Sequence, residues 1–199
     1  MADVARAGRP TANGGTGPAA GRSAAPAAHP DDPQLAQIMR RRDLLGDEPP
    51  EFNIVANDAA YGAHGAHTDE RHGPGVPLPR DPARRTIEGR IYGDDPWGNP
   101  ENWSFRWTDP STMNRTVNDY VRNHWTEIRD DLALNGRHDA SFNAGHRVGQ
   151  GYYNDGMYGA GPRNSHYAET SFVKIRIRLL EGSDPPEPFI LTSFPLGIM

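Results

Sequence analysis

Phe172-Val173-Lys174-Ile175-Arg176-Ile177-Arg178-Leu179-Leu180 alternates apolar and basic side chains almost without a break. Successive strand residues point to opposite faces, so Val173, Ile175, Ile177 and Leu179 share one face and Lys174, Arg176 and Arg178 the other. The polar, proline-rich run 181–188 is a connection, and Phe189-Ile190-Leu191-Thr192-Ser193-Phe194 returns as a second strand. The two predict an antiparallel hairpin at the carboxyl end. Shorter strands are predicted over 85–92, 103–107 and 147–153.

Upstream, Met113, Val117, Tyr120, Val121, Ile128 and Leu132 recur at steps of three and four, which predicts a long amphipathic helix over 111–135. Asp109 before Pro110 supplies a start signal, and Asn135-Gly136 supplies a stop. Leu35, Ile38, Met39 and Leu45 predict a second, weaker helix over 34–45. Its run Arg40-Arg41-Arg42 reads as a solvated helix end, with an RNA-binding patch as the alternative. Residues 1–33 are rich in Ala, Gly, Pro and Arg without apolar periodicity and are expected to be disordered. The predicted organisation is a disordered or weakly helical leader over 1–50 and one folded domain over 51–199. Helices in front and strands behind give an α+β class with a mainly antiparallel sheet.

Composition narrows the function classes. A net charge of −5 speaks against a broadly basic nucleic-acid binder, though a cleft on an acidic protein is free to be locally positive. Of the 21 Lys and Arg residues only Lys174 is lysine. Arginine's planar fork suits phosphate, but a GC-rich coding sequence gives the same bias. The absence of cysteine excludes disulfides and thiolate metal sites. No apolar run approaches the ~18 residues of a membrane span, and no signal-peptide core is visible at the amino terminus.

Three histidines crowd the stretch His64-Gly65-Ala66-His67-Thr68-Asp69-Glu70-Arg71-His72-Gly73. Imidazole can take and give a proton near neutrality, and a nearby guanidinium can hold phosphorane charge. If residues 67–72 are helical, His67 and Arg71 stack at i, i+4. His72 then sits at an exposed carboxyl end, where the helix dipole favours its protonated form. The alternatives are a polar Gly/His loop and a zinc site of His64, His67 and His72 with Asp69 or Glu70. That spacing fits neither a His-Glu-x-x-His helix nor a triple-histidine site. The Gly145–Gly151 run lacks the Lys-Ser/Thr of a phosphate loop and reads as a turn. Tyr152, Tyr153, Tyr158 and Tyr167 fall in a Gly-rich stretch that reads as a loop. Asp94-Asp95 and Asp130-Asp131 are adjacent pairs whose side chains diverge and make no two-metal site.

The segment 66–73, with Leu78-Pro79-Arg80 after it, resembles the opening of the bacterial RNase A-like toxins. These are the disulfide-free C-terminal toxin domains of contact-dependent inhibition systems. Residues 105–128 resemble the family's strand and long helix, and 173–180 with Leu191-Thr192-Ser193-Phe194-Pro195 resemble its last two strands. The resemblance implies an RNase A-like fold and an antibacterial, metal-independent endoribonuclease without cofactor, which attacks through the 2′-OH and leaves a 2′,3′-cyclic phosphate. It places the catalytic histidine at His72, with His67 as the competing assignment, the phosphate-binding arginine at Arg80 and the terminal threonine at Thr192. Arg71 and Phe194 are the expected substrate contacts. Phe194 stands where the family often has tyrosine, which removes one hydroxyl. A monomer with an RNA substrate and a cognate immunity protein is implied. So is delivery by a specialised route, or within a longer toxin, to the target-cell cytoplasm. A non-catalytic RNA- or protein-binding module on the same fold is the alternative.

Overall fold

A computed structural model describes residues 32–157 and 161–197. Most of the predicted leader, and Tyr158, lie outside the described residues. Helix α1 is Pro33–Leu45, α2 is Ile54–Tyr61, α3 is Thr68–His72, α4 is Ile87–Tyr92 and α5 is Pro110–Asn135. The strands are β1 Trp103–Trp107, β2 Arg137–Asn143, β3 Gly149–Asn154, β4 Ser165–Thr170, β5 Phe172–Leu179 and β6 Pro188–Leu196. The class is α+β, with two three-stranded antiparallel sheets ordered β1-β3-β4 and β2-β5-β6.

Helix α5 carries the predicted apolar stripe into the core. Met113, Val117, Val121, Ile128 and Leu132 are fully buried and pack with Val173, Ile175, Ile177 and Ile190 of the β5–β6 hairpin. The Asp109 side chain accepts from Thr112 N at 2.8 Å, and Gly136 ends the helix with φ 69°. That conformation is open to glycine at little cost. The helix is interrupted at His124, whose ring nitrogen Nδ1 lies 3.0 Å from the carbonyl of Tyr120.

Helix α1 docks on α5. Arg41 donates to Ala133 O at 3.0 Å, Arg42 pairs with Asp130 at 2.5 Å, and Arg40 reaches Asp184 at 3.6 Å. Arg41 and Arg42 therefore tie α1 to α5, while Arg40 stays exposed in a surface pair. Just past α1, Gly46 O accepts from Trp125 Nε1 and from buried Arg129, so the packed region extends N-terminal to Glu51.

The two sheets meet where β1 approaches β6. Trp107 Nε1 donates to Ser193 O at 3.0 Å, and Thr170 Oγ1 donates to Leu196 O at 2.7 Å. Gly149 is required at this junction, because a Cβ there would lie 2.2 Å from Pro195 Cβ.

The sequence reading departs from the structure in several elements. Residues 85–92, expected as a strand, form α4, because Thr86 Oγ1 caps the helix by accepting from Gly89 N at 3.0 Å. Strands β2 and β4 and helix α2 were not anticipated. Tyr152 and Tyr153 lie on β3, within the strand expected over 147–153, whereas Tyr167 lies on β4, where a Gly-rich loop was expected.

Candidate functional site

Strand β6 is the outer strand of its sheet, so its free edge presents unpaired backbone groups that need partners. Helices α2 and α3 supply most of them. Buried Asn57 accepts from Ile190 N at 2.9 Å and donates to Ile190 O at 2.8 Å, which imitates a strand partner. His67 N donates to Leu191 O at 3.2 Å, and Ser193 N donates to Thr68 Oγ1 at 2.9 Å. Asp58 fastens the start of α3 by accepting from Asp69 N at 2.6 Å. The His cluster is thereby bolted along β6 over the Thr192 segment.

Thr192 and Phe194 are two residues apart on one strand and so share a face. The Phe194 ring stacks on His72 with centroids 4.6 Å apart, and the rings of His72 and His67 lie 6.4 Å apart. Phe194 thus supplies a packing plane for the imidazole. Thr192 is 2% exposed, and its Oγ1 has no hydrogen-bond partner among the described residues. The buried hydroxyls of Ser193, Ser104 and Thr116 are unpartnered in the same way, so the feature is not peculiar to Thr192.

His72 differs from the sequence expectation. It is 5% exposed rather than standing at a cleft edge, and its pKa is pushed down to about 3. Burial is the chief cause, joined by the positive charges of Arg90, His67 and Arg71. One short helix cannot offset that desolvation, so His72 is neutral across the physiological range. Its Nδ1 lies 3.4 Å from Phe105 O on the free edge of β1; a carbonyl only accepts, so the proton belongs on Nδ1.

His67 caps α3 from outside the helix and is partly exposed. Its Nδ1 lies 2.6 Å from Gly65 O, which fixes the proton there and leaves Nε2 with its lone pair. Of the two imidazoles, His67 is the one positioned to exchange protons with a bound molecule.

The cations near these rings are Arg71 and Arg90. Arg71 is exposed and enters no ion pair among the described residues. Arg90 is half-buried, sits over the Trp97 ring at 4.9 Å and reaches Glu101 only at 3.9 Å. Burial lowers the Arg90 pKa, and the charge of Arg71 lowers it further. The two guanidiniums repel each other beside His72, an arrangement that a bound anion would relieve.

Arg80 is placed elsewhere. It forms a two-pronged pair with Asp94, both contacts 2.8 Å, and its guanidinium covers the Tyr92 ring at 3.9 Å. Arg90 was missed because 85–92 was read as a strand. Recognising Thr86 as a cap would have put Arg90 in the last turn of a short helix after the His cluster. The three histidines do not converge either, since His64 faces Phe189 while His72 faces Phe194. Among the described residues no three His, Asp or Glu side chains are grouped to hold a metal ion. No helix described is long and apolar enough to cross a membrane.

No family model matches this chain, and no curated protein or solved structure matches it significantly.

Proposed function

We propose that this chain is a metal-independent endoribonuclease of RNase A-like architecture that acts as an antibacterial toxin. The observation that carries the reading is the conjunction, beside strand β6, of two neighbouring imidazoles, one of them partly exposed, with two mutually repelling arginines.

In this reading His67 Nε2 takes the proton of the ribose 2′-OH. The 2′ oxygen bonds to phosphorus, the bond to the 5′ oxygen breaks, and that oxygen takes a proton from water. Imidazolium then returns its proton to solvent. Arg71 and Arg90 balance the negative charge of the phosphorane, and buried Thr192 lies within the strand that holds Phe194 against His72. His72 acts as a neutral wall that holds the Phe194 and Phe105 strands around the site. The products are a 2′,3′-cyclic phosphate and a 5′-hydroxyl.

A toxin of this kind is accompanied by a cognate immunity protein that covers the cleft, and is delivered by a specialised route or within a longer polypeptide to the target-cell cytoplasm. The test is purified protein on total RNA in EDTA. Cleavage with cyclic-phosphate ends, lost in His67→Ala, is expected; intact RNA overturns the proposal.

One observation favours a second reading. The burial of His72, together with phenylalanine at 194, suits a binding module that keeps the fold without chemistry. RNA bound without turnover is the result that module predicts.

A further inference from the structure

Trp103 of β1, Tyr153 of β3 and His166 of β4 are register neighbours across the first sheet. Their rings form a row, with centroids 6.1 Å apart for Trp103–Tyr153 at 30° between planes, and 5.5 Å apart for Tyr153–His166 at 26°. Trp103 and Tyr153 are half-exposed and His166 is exposed. Along the same face the next residues are Phe105, Gly151 and Ala168, so the surface hollows where the side chains shrink. The hollow is a cavity of about 480 Å³ also lined by Phe172 of β5 and by Gly197 just past β6. That volume falls within the range of small-ligand sites.

We infer that this aromatic face is a platform for single-stranded RNA, on which Trp103, Tyr153 and His166 stack successive bases while the hollow beside Phe105 receives one base. The inference rests on the RNA reading above and extends it to a surface that reading does not use. Two observations fix the occupant as a nucleic-acid strand. Flat rings repeated in near-parallel planes across a sheet suit bases, every one of which has a π-face. Phe105 also ties the platform to the site: its side chain lines the cavity, while its carbonyl on the free edge of β1 is the contact of His72. A strand crossing that edge leaves the aromatic row and meets exposed Arg71 and half-buried Arg90, the latter only loosely paired with Glu101 at 3.9 Å, and their positive charge suits phosphate. At the far side His166 is held by Asp155 at 2.8 Å, and the Glu169 carboxylate at the rim is paired with Arg147 at 3.0 Å.

The test uses a fluorescent 2′-O-methyl oligoribonucleotide, which cannot be cut through its 2′ oxygen, and reads affinity by anisotropy. His166→Ala and Tyr153→Ala should each weaken binding by about fivefold or more. Ala168→Trp, which fills the hollow, should do the same. Circular dichroism confirms folding, and if Tyr153→Ala does not fold, the other two variants decide the matter. Affinities within twofold of wild type in the folded variants overturn the platform, as does equal affinity for double-stranded RNA. Binding that depends on these residues, without turnover of unmodified RNA, keeps the platform and removes the proposed chemistry. Turnover with affinity indifferent to them does the reverse.

Discussion

Replacing His72 with asparagine should flatten the acid side of the stability curve. The unfolded chain binds a proton on His72 below about pH 6.5, the ordinary imidazole value, whereas the folded chain binds it only below about pH 3. Between those limits the unfolded state holds more protons, so stability falls as pH falls. At 1.36 kcal/mol per pH unit the full loss is about 5 kcal/mol near pH 3, and the part already lost at pH 5 is about 2 kcal/mol. Urea unfolding at pH 7.5 and pH 5 reads this as a fall in midpoint of roughly 1 M, for a slope of about 2 kcal/mol per M. Asparagine offers an amide N–H near the position of Nδ1 and does not titrate in this range. It lowers stability at both pH values by losing the Phe194 stack, but the drop between them should shrink by about 2 kcal/mol. Comparing the two proteins at the same pair of pH values isolates the contribution of position 72. An unchanged drop would show that His72 is not held neutral by burial, and with it the reason for giving the proton transfer to His67 would go.

Thr192→Val removes a buried hydroxyl that lacks a partner, so stability should hold or rise by about 1 kcal/mol, read as the midpoint of chemical denaturation. Asn57→Ala strips both backbone partners from Ile190 and should cost about 2–5 kcal/mol, seen as a fall in Tm of roughly 5–15 °C. Arg90→Ala should lower kcat/KM about a hundredfold, while Arg80→Ala, which breaks the clip to Asp94 and uncovers the Tyr92 ring, should leave it within about threefold. The reverse order would return the phosphate to Arg80. His72→Asn should keep RNA cleavage within about tenfold of wild type, whereas His67→Ala should abolish it, read as initial rates at one pH.

The carboxyl-terminal hairpin and α5 were legible because their periods are clean. Alternation over 172–179 and the steps of three and four from Met113 to Leu132 each bury one face against the other. β2 and β4 were hidden for the opposite reason. Arg137–Asn143 and Ser165–Thr170 are polar strands held by backbone pairing to a neighbour, which periodicity does not register. α4 is only six residues long, too short for a period, and its capping threonine was the one available signal. In the site, the local sequence put His67, Arg71 and His72 together, and spacing along β6 put Thr192 and Phe194 on one face. The burial of His72 was not legible. It depends on Phe105 and Phe194, more than thirty and one hundred residues away, closing over the ring. The same holds for Arg80, whose partners Asp94 and Tyr92 come from the end of a helix that the sequence reading had made a strand.

The most direct test is a DNA oligonucleotide carrying a single internal ribonucleotide, incubated with the protein in EDTA. Attack by the only 2′-OH present predicts one cut, immediately 3′ of the ribose, with a 2′,3′-cyclic phosphate on one fragment and a 5′-hydroxyl on the other, and no cut once that position is 2′-O-methylated. An uncut strand, or cuts at deoxyribose positions, would contradict it.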